Sequence, residues 1–253
     1  MFRKKVIFAA CVILLTGCAG SGKLESVPEV NAGRQASAVL ANTSERNISN
    51  SGFFIHKGRI QTSGESGRIS LFFSMKFNPP YSYLISLRSK TGMEAFRVYL
   101  SADTVLINDR LNKSVLYGNI NDFERITGLP AALLRVSYGD LFFIEPKLQP
   151  GEVCIDNEVK LNEYFLGLMI KTTIDCLKEK VKSVMLTTGV PDEFITIEYK
   201  KHRDDHNGLP KKVEINDFRR KIKITLSLDK YTSPWVGDIE FIPGTGYSVK
   251  PLL

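Results

Sequence analysis

The sequence predicts a mainly β fold of the α+β kind: one curled antiparallel sheet of about eleven strands with a few short helices. Three observations predict it. Apolar and polar residues alternate strictly over many short stretches, as in Arg68–Phe77 and Lys221–Leu228. Turn residues separate these stretches at short, regular intervals. The alternation gives way to helical spacing in only two places, near Asn31–Thr43 and Ile120–Gly139.

The chain opens with Met1-Phe2-Arg3-Lys4-Lys5, followed by an almost wholly apolar run from Val6 to Leu15. A basic start, an apolar run of about ten residues and a small-residue cut site describe a secretory signal peptide. The run is shorter than the roughly 20 apolar residues that span a bilayer. Leu15-Thr16-Gly17-Cys18 then reads as a lipoprotein processing site. Cleavage after Gly17 and acylation of the Cys18 thiol would make membrane lipid a partner of this chain. The domain reading is therefore a signal peptide over 1–17, a tether over 18–30 and one folded domain over 31–253. Ala19 rather than Asp follows the cysteine, which by the common sorting pattern sends such a protein to the outer membrane. No acidic run follows to argue for surface display.

The same stretch, Gly17 to Leu24, is one residue from a phosphate-binding loop. That reading fails because Leu24 stands where the loop needs a magnesium-binding Ser or Thr. No helical pattern follows Lys23 either. The formal net charge of +7 falls when Arg3, Lys4 and Lys5 leave. The remaining charge is spread out, with no basic stripe and no recognition motif for nucleic acid.

Gly20–Val30 is small and polar, and Ala32 to Ala41 favours a short helix. Two strands follow, in "GFFIHKGRIQT" and "RISLFFSMKF", joined by a turn over 63–67. In the second, Ile69, Leu71, Phe73, Met75 and Phe77 share one face. Strands at Tyr81–Leu87, Met93–Leu100, Thr104–Asn108 and Ser114–Tyr117 continue the hairpins. Two short helices then interrupt, carrying Phe123, Ile126, Leu133 and Leu134, with Pro130 at a first helical position. Strands resume at Glu163–Thr173, Lys180–Thr188, Glu193–Tyr199, Lys212–Asp217 and Lys221–Leu228, with a last one at Asp238–Ile242. The apolar face of Lys221–Leu228 includes Ile222, Ile224 and Leu226.

A sheet of this many antiparallel strands curls, splits or closes. If it curls with its apolar face concave, the central helices are its lid. The candidate cavity lining is then Ile69, Leu71, Phe73, Met75, Phe77, Ile222, Ile224 and Leu226. The candidate lid residues are Phe123, Ile126, Leu133 and Leu134. Cys154 and Cys176 remain after processing in a compartment that permits disulfides. They either pair or stay as two buried thiols.

No catalytic group can be named. His56 alternates within a strand. His202 and His206 flank Asp204 and Asp205 beside the turn chemistry of Asn207-Gly208-Leu209-Pro210, which describes a solvated loop rather than a metal site. Cys154 and Cys176 lack an evident partner histidine, and the carboxylates are scattered. The single Trp235 reads as a packing anchor. The expectation is no enzyme, no cofactor and no metal.

Gly92–Pro130 resembles uncharacterised bacterial lipoproteins with a LolB-like domain, within the LolA/LolB lipoprotein-carrier superfamily. The matching residues are Gly92, Glu94 and Arg97, then Asp103, Asn108 to Asn112, Tyr117-Gly118, and Gly128-Leu129-Pro130. The order helix, strands, two short helices, strands also matches. The resemblance implies a half-open barrel closed by helices, an apolar interior for acyl chains, and residence on the periplasmic face of the outer membrane. It implies, as partners, lipoprotein acyl chains and a soluble carrier that hands them over. One departure stands out: the LolB type exposes an apolar residue on an early inter-strand loop, whereas here Arg88-Ser89-Lys90-Thr91-Gly92 is polar, with Leu87 and Met93 only at its ends. The competing expectation is a structural or assembly lipoprotein of the envelope with a filled core.

Overall fold

The computed structural model describes residues 34–65, 67–142, 152–202 and 209–253. Cys18, with the signal peptide and tether readings, lies outside these residues, as does His206. The described chain contains one thirteen-stranded sheet that does not close on itself. The expectation of about eleven strands is corrected upward.

Helix α1 (Ala36–Glu45) buries Ala36, Val39, Leu40 and Thr43, the i, i+3, i+4, i+7 stripe of an amphipathic helix. A 3₁₀ turn (Ile48–Asn50) follows. The first meander is β1 (Phe53–Gly64), β2 (Gly67–Asn78), β3 (Ser82–Arg88), β4 (Glu94–Leu100), β5 (Thr104–Asp109) and β6 (Ser114–Asn119). Helix α2 (Ile120–Thr127) and a 3₁₀ helix (Ala131–Tyr138) cross beneath the sheet. The second meander is β7 (Glu158–Phe165), β8 (Leu168–Asp175), β9 (Lys180–Thr187), β10 (Phe194–Lys200), β11 (Lys212–Asp217) and β12 (Ile222–Thr232). Antiparallel pairing of β1 with β12 joins the two meanders into one sheet. Strand β13 (Ser248–Pro251) adds to β6 in parallel, giving the order β13-β6-β5-β4-β3-β2-β1-β12-β11-β10-β9-β8-β7.

Two expected strands are corrected. Glu163–Thr173 is not one strand but the β7–β8 hairpin, turning at Leu166-Gly167. An apolar run with Leu where a turn favours Asn gives no sign of that break. Asp238–Ile242 is an irregular strap on the convex face, held by side chains rather than by a ladder. Asn78 Nδ2 donates to the Gly237 carbonyl at 2.9 Å, and Phe241 meets Tyr99 with ring centroids 6.4 Å apart. Trp235 anchors the start of the strap: its N–H donates to the Gly52 carbonyl at 2.7 Å, and its ring packs on Phe54 with Lys76 above it.

Alternate turns of an antiparallel meander lie at the same end of the sheet. One end, here called the rim, therefore carries the turns β1–β2, β3–β4, β5–β6, β7–β8, β9–β10 and β11–β12. The opposite, closed end holds α1, the Ile48–Asn50 turn and the links β2–β3, β4–β5, β8–β9 and β10–β11. The core forms two lobes on the concave face. One gathers α1 with β7–β11, and the other gathers Phe53, Ile55, Phe77, Tyr83 and Leu100 with Tyr138.

Candidate lipid-accommodating site

Register puts the expected lining residues on one face. Across β1, Phe53 opposes Phe77, Ile55 opposes Met75, Ile60 opposes Leu71 and Thr62 opposes Ile69. On the other side of β1, Ile60 opposes Leu226 and Thr62 opposes Ile224. The face changes character along its length. Phe73, Met75 and Phe77, towards the closed end, are buried core rather than open lining. Leu71, Ile222, Ile224 and Leu226, towards the rim, are half-buried, and Ile69 is 58% exposed. Along β1, β2 and β12 the face is thus packed towards the closed end and half-open towards the rim. At the transition, β1 has an irregular register between Ile55 and Gly58. A Cβ on Gly58 would lie 2.3 Å from the Phe73 ring, so only glycine lets that ring lie against the strand.

Helix α2, the expected lid, packs chiefly against β5, β6 and the 3₁₀ helix. Asn119 caps it through a reciprocal capping box with Asp122, and Gly128 ends it in the left-handed conformation. It buries no residue completely. Phe123 and Ile120 are half-buried against the sheet lobe, while Ile126 faces outward, 48% exposed, and covers nothing. Its ends are tied by single hydrogen bonds: Ile120 N–H to the Asp103 carbonyl at 3.2 Å, and Arg220 Nη2 to the Thr127 carbonyl at 2.9 Å. The 3₁₀ helix after it straddles the lobes, with Leu133 buried in one and Leu134 half-buried in the other. Between α2 and the sheet lies a mainly apolar pocket of about 200 Å³, lined by Tyr81, Tyr83, Leu100, Ile120, Ala131 and Leu134 among others. That volume suits part of an acyl chain rather than a whole ligand, since complete small-molecule sites run from about 300 Å³. Sequence reading found Leu134 but missed the tyrosines and alanines, because their shared wall exists only after α2 folds under the sheet.

The closed end is stitched by polar groups. Asp140 accepts the Ile48 and Ser49 N–H groups at 2.8 and 3.1 Å, and Asn47 exchanges two hydrogen bonds with the Leu141 backbone. Burial pushes the Asp140 carboxyl up to about 6, against the lowering effect of these donors. Tyr83 and Tyr138 hydroxyls meet at 3.0 Å, and burial raises both. Glu179 binds Arg34 at 3.1 Å and Arg46 at 2.7 Å, fastening α1 to the β8–β9 link.

Cys154 and Cys176 form a disulfide, with Cα atoms 6.5 Å apart. His56 is exposed on β1 and bonds Thr232 at 2.8 Å. His202 is half-buried beside Tyr199. Among the described residues, no three metal-binding side chains gather. The family-like residues of Gly92–Pro130 serve turns and a convex ion cluster. Glu94 binds Arg97 at 3.0 Å and Arg110 at 2.6 Å. Burial alone would raise its carboxyl, but the Ser86 and Arg97 hydrogen bonds and the two guanidinium charges hold it below its usual range. Asp109 receives the Leu111 and Asn112 N–H groups in the β5–β6 turn.

No protein-family model matches this sequence, and no curated protein matches it. Solved structures do match in fold. A LolA superfamily protein from Nitrosomonas europaea superposes with a TM-score of 0.53 at 10% identity, over 81% of this chain and 95% of that one. A DUF1329 family protein from Desulfovibrio piger follows at 0.48 and 8% identity, over 79% and 92%. An outer membrane lipoprotein-sorting protein domain from Vibrio parahaemolyticus gives 0.39 at 8% identity, over 77% and 90%. The chain therefore has the fold of the LolA superfamily, a half-open antiparallel barrel with short helices against its concave face.

Proposed function

We propose that this protein is a lipid-anchored envelope protein whose concave face takes up acyl chains, and that no bond is made or broken there. The observation that carries this reading is the half-buried apolar ladder of Ile60, Leu71, Leu226 and Ile224. It opens towards the rim, and a separate apolar pocket at the closed end lies against α2, a helix that buries none of its own residues completely. Each methylene moved into such a surface contributes about 0.8 kcal/mol, so an acyl chain could displace that weakly held helix. The fold shared with a LolA superfamily protein supports a carrier, and the Leu-Thr-Gly-Cys stretch supports an outer-membrane anchor through Cys18. Reception of lipoproteins from a soluble carrier and their insertion into the outer membrane is the finer form of this reading.

The test is saturable binding of a fluorescent fatty acid to the full chain, competed by a diacylated lipopeptide. Leu71→Glu, which puts a charge on the ladder, should weaken binding at least tenfold without unfolding the protein. Absence of saturable binding would favour the alternative, an assembly lipoprotein with a filled core.

A further inference from the structure

Five of the six rim turns carry an exposed large apolar side chain, and β2 exposes one beside the sixth. They are Ile69 beside β1–β2, Met93 at β3–β4, Leu111 at β5–β6, Leu166 at β7–β8, Val190 at β9–β10 and Phe218 at β11–β12. Met93, Leu111 and Leu166 are 69, 65 and 71% exposed. Single exposed apolar residues are ordinary, and the closed end also exposes Tyr81 and Leu177 on its links, but the rim exposes one on five turns, three of them 65–71% exposed. Leu166 adds a cost of its own. It sits at φ 47° with Gly167 at φ 81°, a two-residue turn that favours Asn-Gly and disfavours leucine. Neither core packing nor turn geometry explains a leucine there. Such an outlier points to a function outside the fold.

Cations lie between the apolar tips: Arg68, Lys90, Lys113, Arg220 and Lys221 are exposed on the rim turns or beside them. The rim's acids are fewer. Glu65 is paired with Lys221 at 3.2 Å, and Asp192 and Glu193 sit on one turn. The cations flank the tips of the β1–β2, β3–β4, β5–β6 and β11–β12 turns, while the β7–β8 and β9–β10 turns carry none; apolar tips with cations beside four of them match the boundary between anionic headgroups and acyl chains.

We infer that the rim is a docking surface for an anionic lipid bilayer, entered by the apolar turn tips and held by the cations beside the β1–β2, β3–β4, β5–β6 and β11–β12 turns. Docking would set the open end of the concave ladder against the membrane, so the inference rests on the reading of that face as an acyl-chain site. The described chain begins at Arg34, which binds Glu179 at the closed end. The 16 residues from Cys18 to Gly33 can extend about 50 Å. The twelve-residue β1 spans about 40 Å, so an anchored chain has the length to bring its rim to the same membrane.

The experiment uses the full chain incorporated into vesicles, with Leu166→Trp as reporter and Trp235→Phe removing the other indole. Should Trp235→Phe loosen the strap, Leu166→Trp is read against wild type instead. Brominated acyl chains should quench the reporter in phosphatidylethanolamine–phosphatidylglycerol vesicles, and far less when phosphatidylcholine replaces phosphatidylglycerol. The anchor is present in both, so the difference reports the rim. Lys90→Glu with Lys113→Glu should weaken docking by more than tenfold, at about fivefold for each cation lost. Leu166→Asn, with Phe218→Trp as reporter, should raise the melting temperature by about 2–4 °C while reducing quenching. Equal quenching in both lipids, or a Leu166→Asn protein that melts lower and docks unchanged, would overturn the inference. Fatty-acid uptake measured on the same samples separates the two readings: uptake without quenching sinks the rim alone, and quenching without uptake sinks the acyl-chain site alone.

Discussion

Asp140 is the residue where burial and chemistry oppose each other most directly. Its carboxylate holds two N–H groups of the Ile48–Asn50 turn, yet burial raises it from the ordinary range near 4 to about 6. A carboxyl whose folded value is raised binds more protons folded than unfolded between those limits. Its contribution is therefore most favourable below about pH 4 and is lost as the pH rises through 6. Two units correspond to about 3 kcal/mol. Asp140→Asn cannot titrate, so wild type should gain stability relative to it as the pH falls from 7 to 5. Paired thermal melts check this, and a constant difference across that range refutes it. Nothing about Asp140 was legible in the sequence. A lone aspartate in "SYGDLFF" gains its meaning from Ile48 and Ser49, ninety residues away in the chain. That Ile69, Leu71, Phe73, Met75 and Phe77 share one face was legible, because period-two alternation fixes the face of a strand whatever its neighbours. Which of them would be packed solid was not: Phe73 and Ile69 look alike in the alternation, and only their distance from the closed end separates them.

At the scale of elements, the Cys154–Cys176 disulfide ties the approach to β7 to the exit of β8 across 22 residues. The Arg34 carbonyl accepts the Cys154 N–H, and the Arg34 guanidinium donates to the Cys176 carbonyl, so the link also holds the entry to α1. Closing a loop of this length contributes about 3 kcal/mol in the chain-entropy model. Cys154→Ser with Cys176→Ser should lower the melting temperature by roughly 6–12 °C. Reductant should do the same to wild type and leave the double variant unmoved, which calorimetry with and without dithiothreitol resolves. The hairpins were largely readable, because turn residues punctuate them. The exceptions share a cause: β7 and β8 meet at a leucine, and the strap from Trp235 to Ile242 uses strand-like residues without pairing. In both places another demand overrides local preference.

For the whole molecule, the curled sheet followed from strand number and one-sided apolarity, but its openness did not. Closure depends on whether β7 reaches β13, which no local pattern encodes. Thirteen strands lie side by side, yet the sheet ends at two edges and keeps its apolar concavity open to one side. The proposed anchoring is tested at this scale too. Cys18→Ser should leave the chain unprocessed or release it from the membrane fraction, while the folded domain keeps its melting temperature. Fractionation with immunoblotting reads this, and unchanged processing and membrane retention would count against lipidation at Cys18.

The pairings of β1 with β12 and of β6 with β13 bear on how the protein can be made. β1 forms its second ladder only when residues some 170 positions later arrive, and β6 keeps one unpaired edge until Ser248–Pro251 emerges. Such long-range contacts slow folding. A chain emerging from its N-terminus would therefore display an unpaired β6 edge until its last residues are available. A product stopped before Ser248 would keep that edge. A bound chaperone is what such an intermediate would call for, and proteolysis at β6 is the fate expected of one that waits too long.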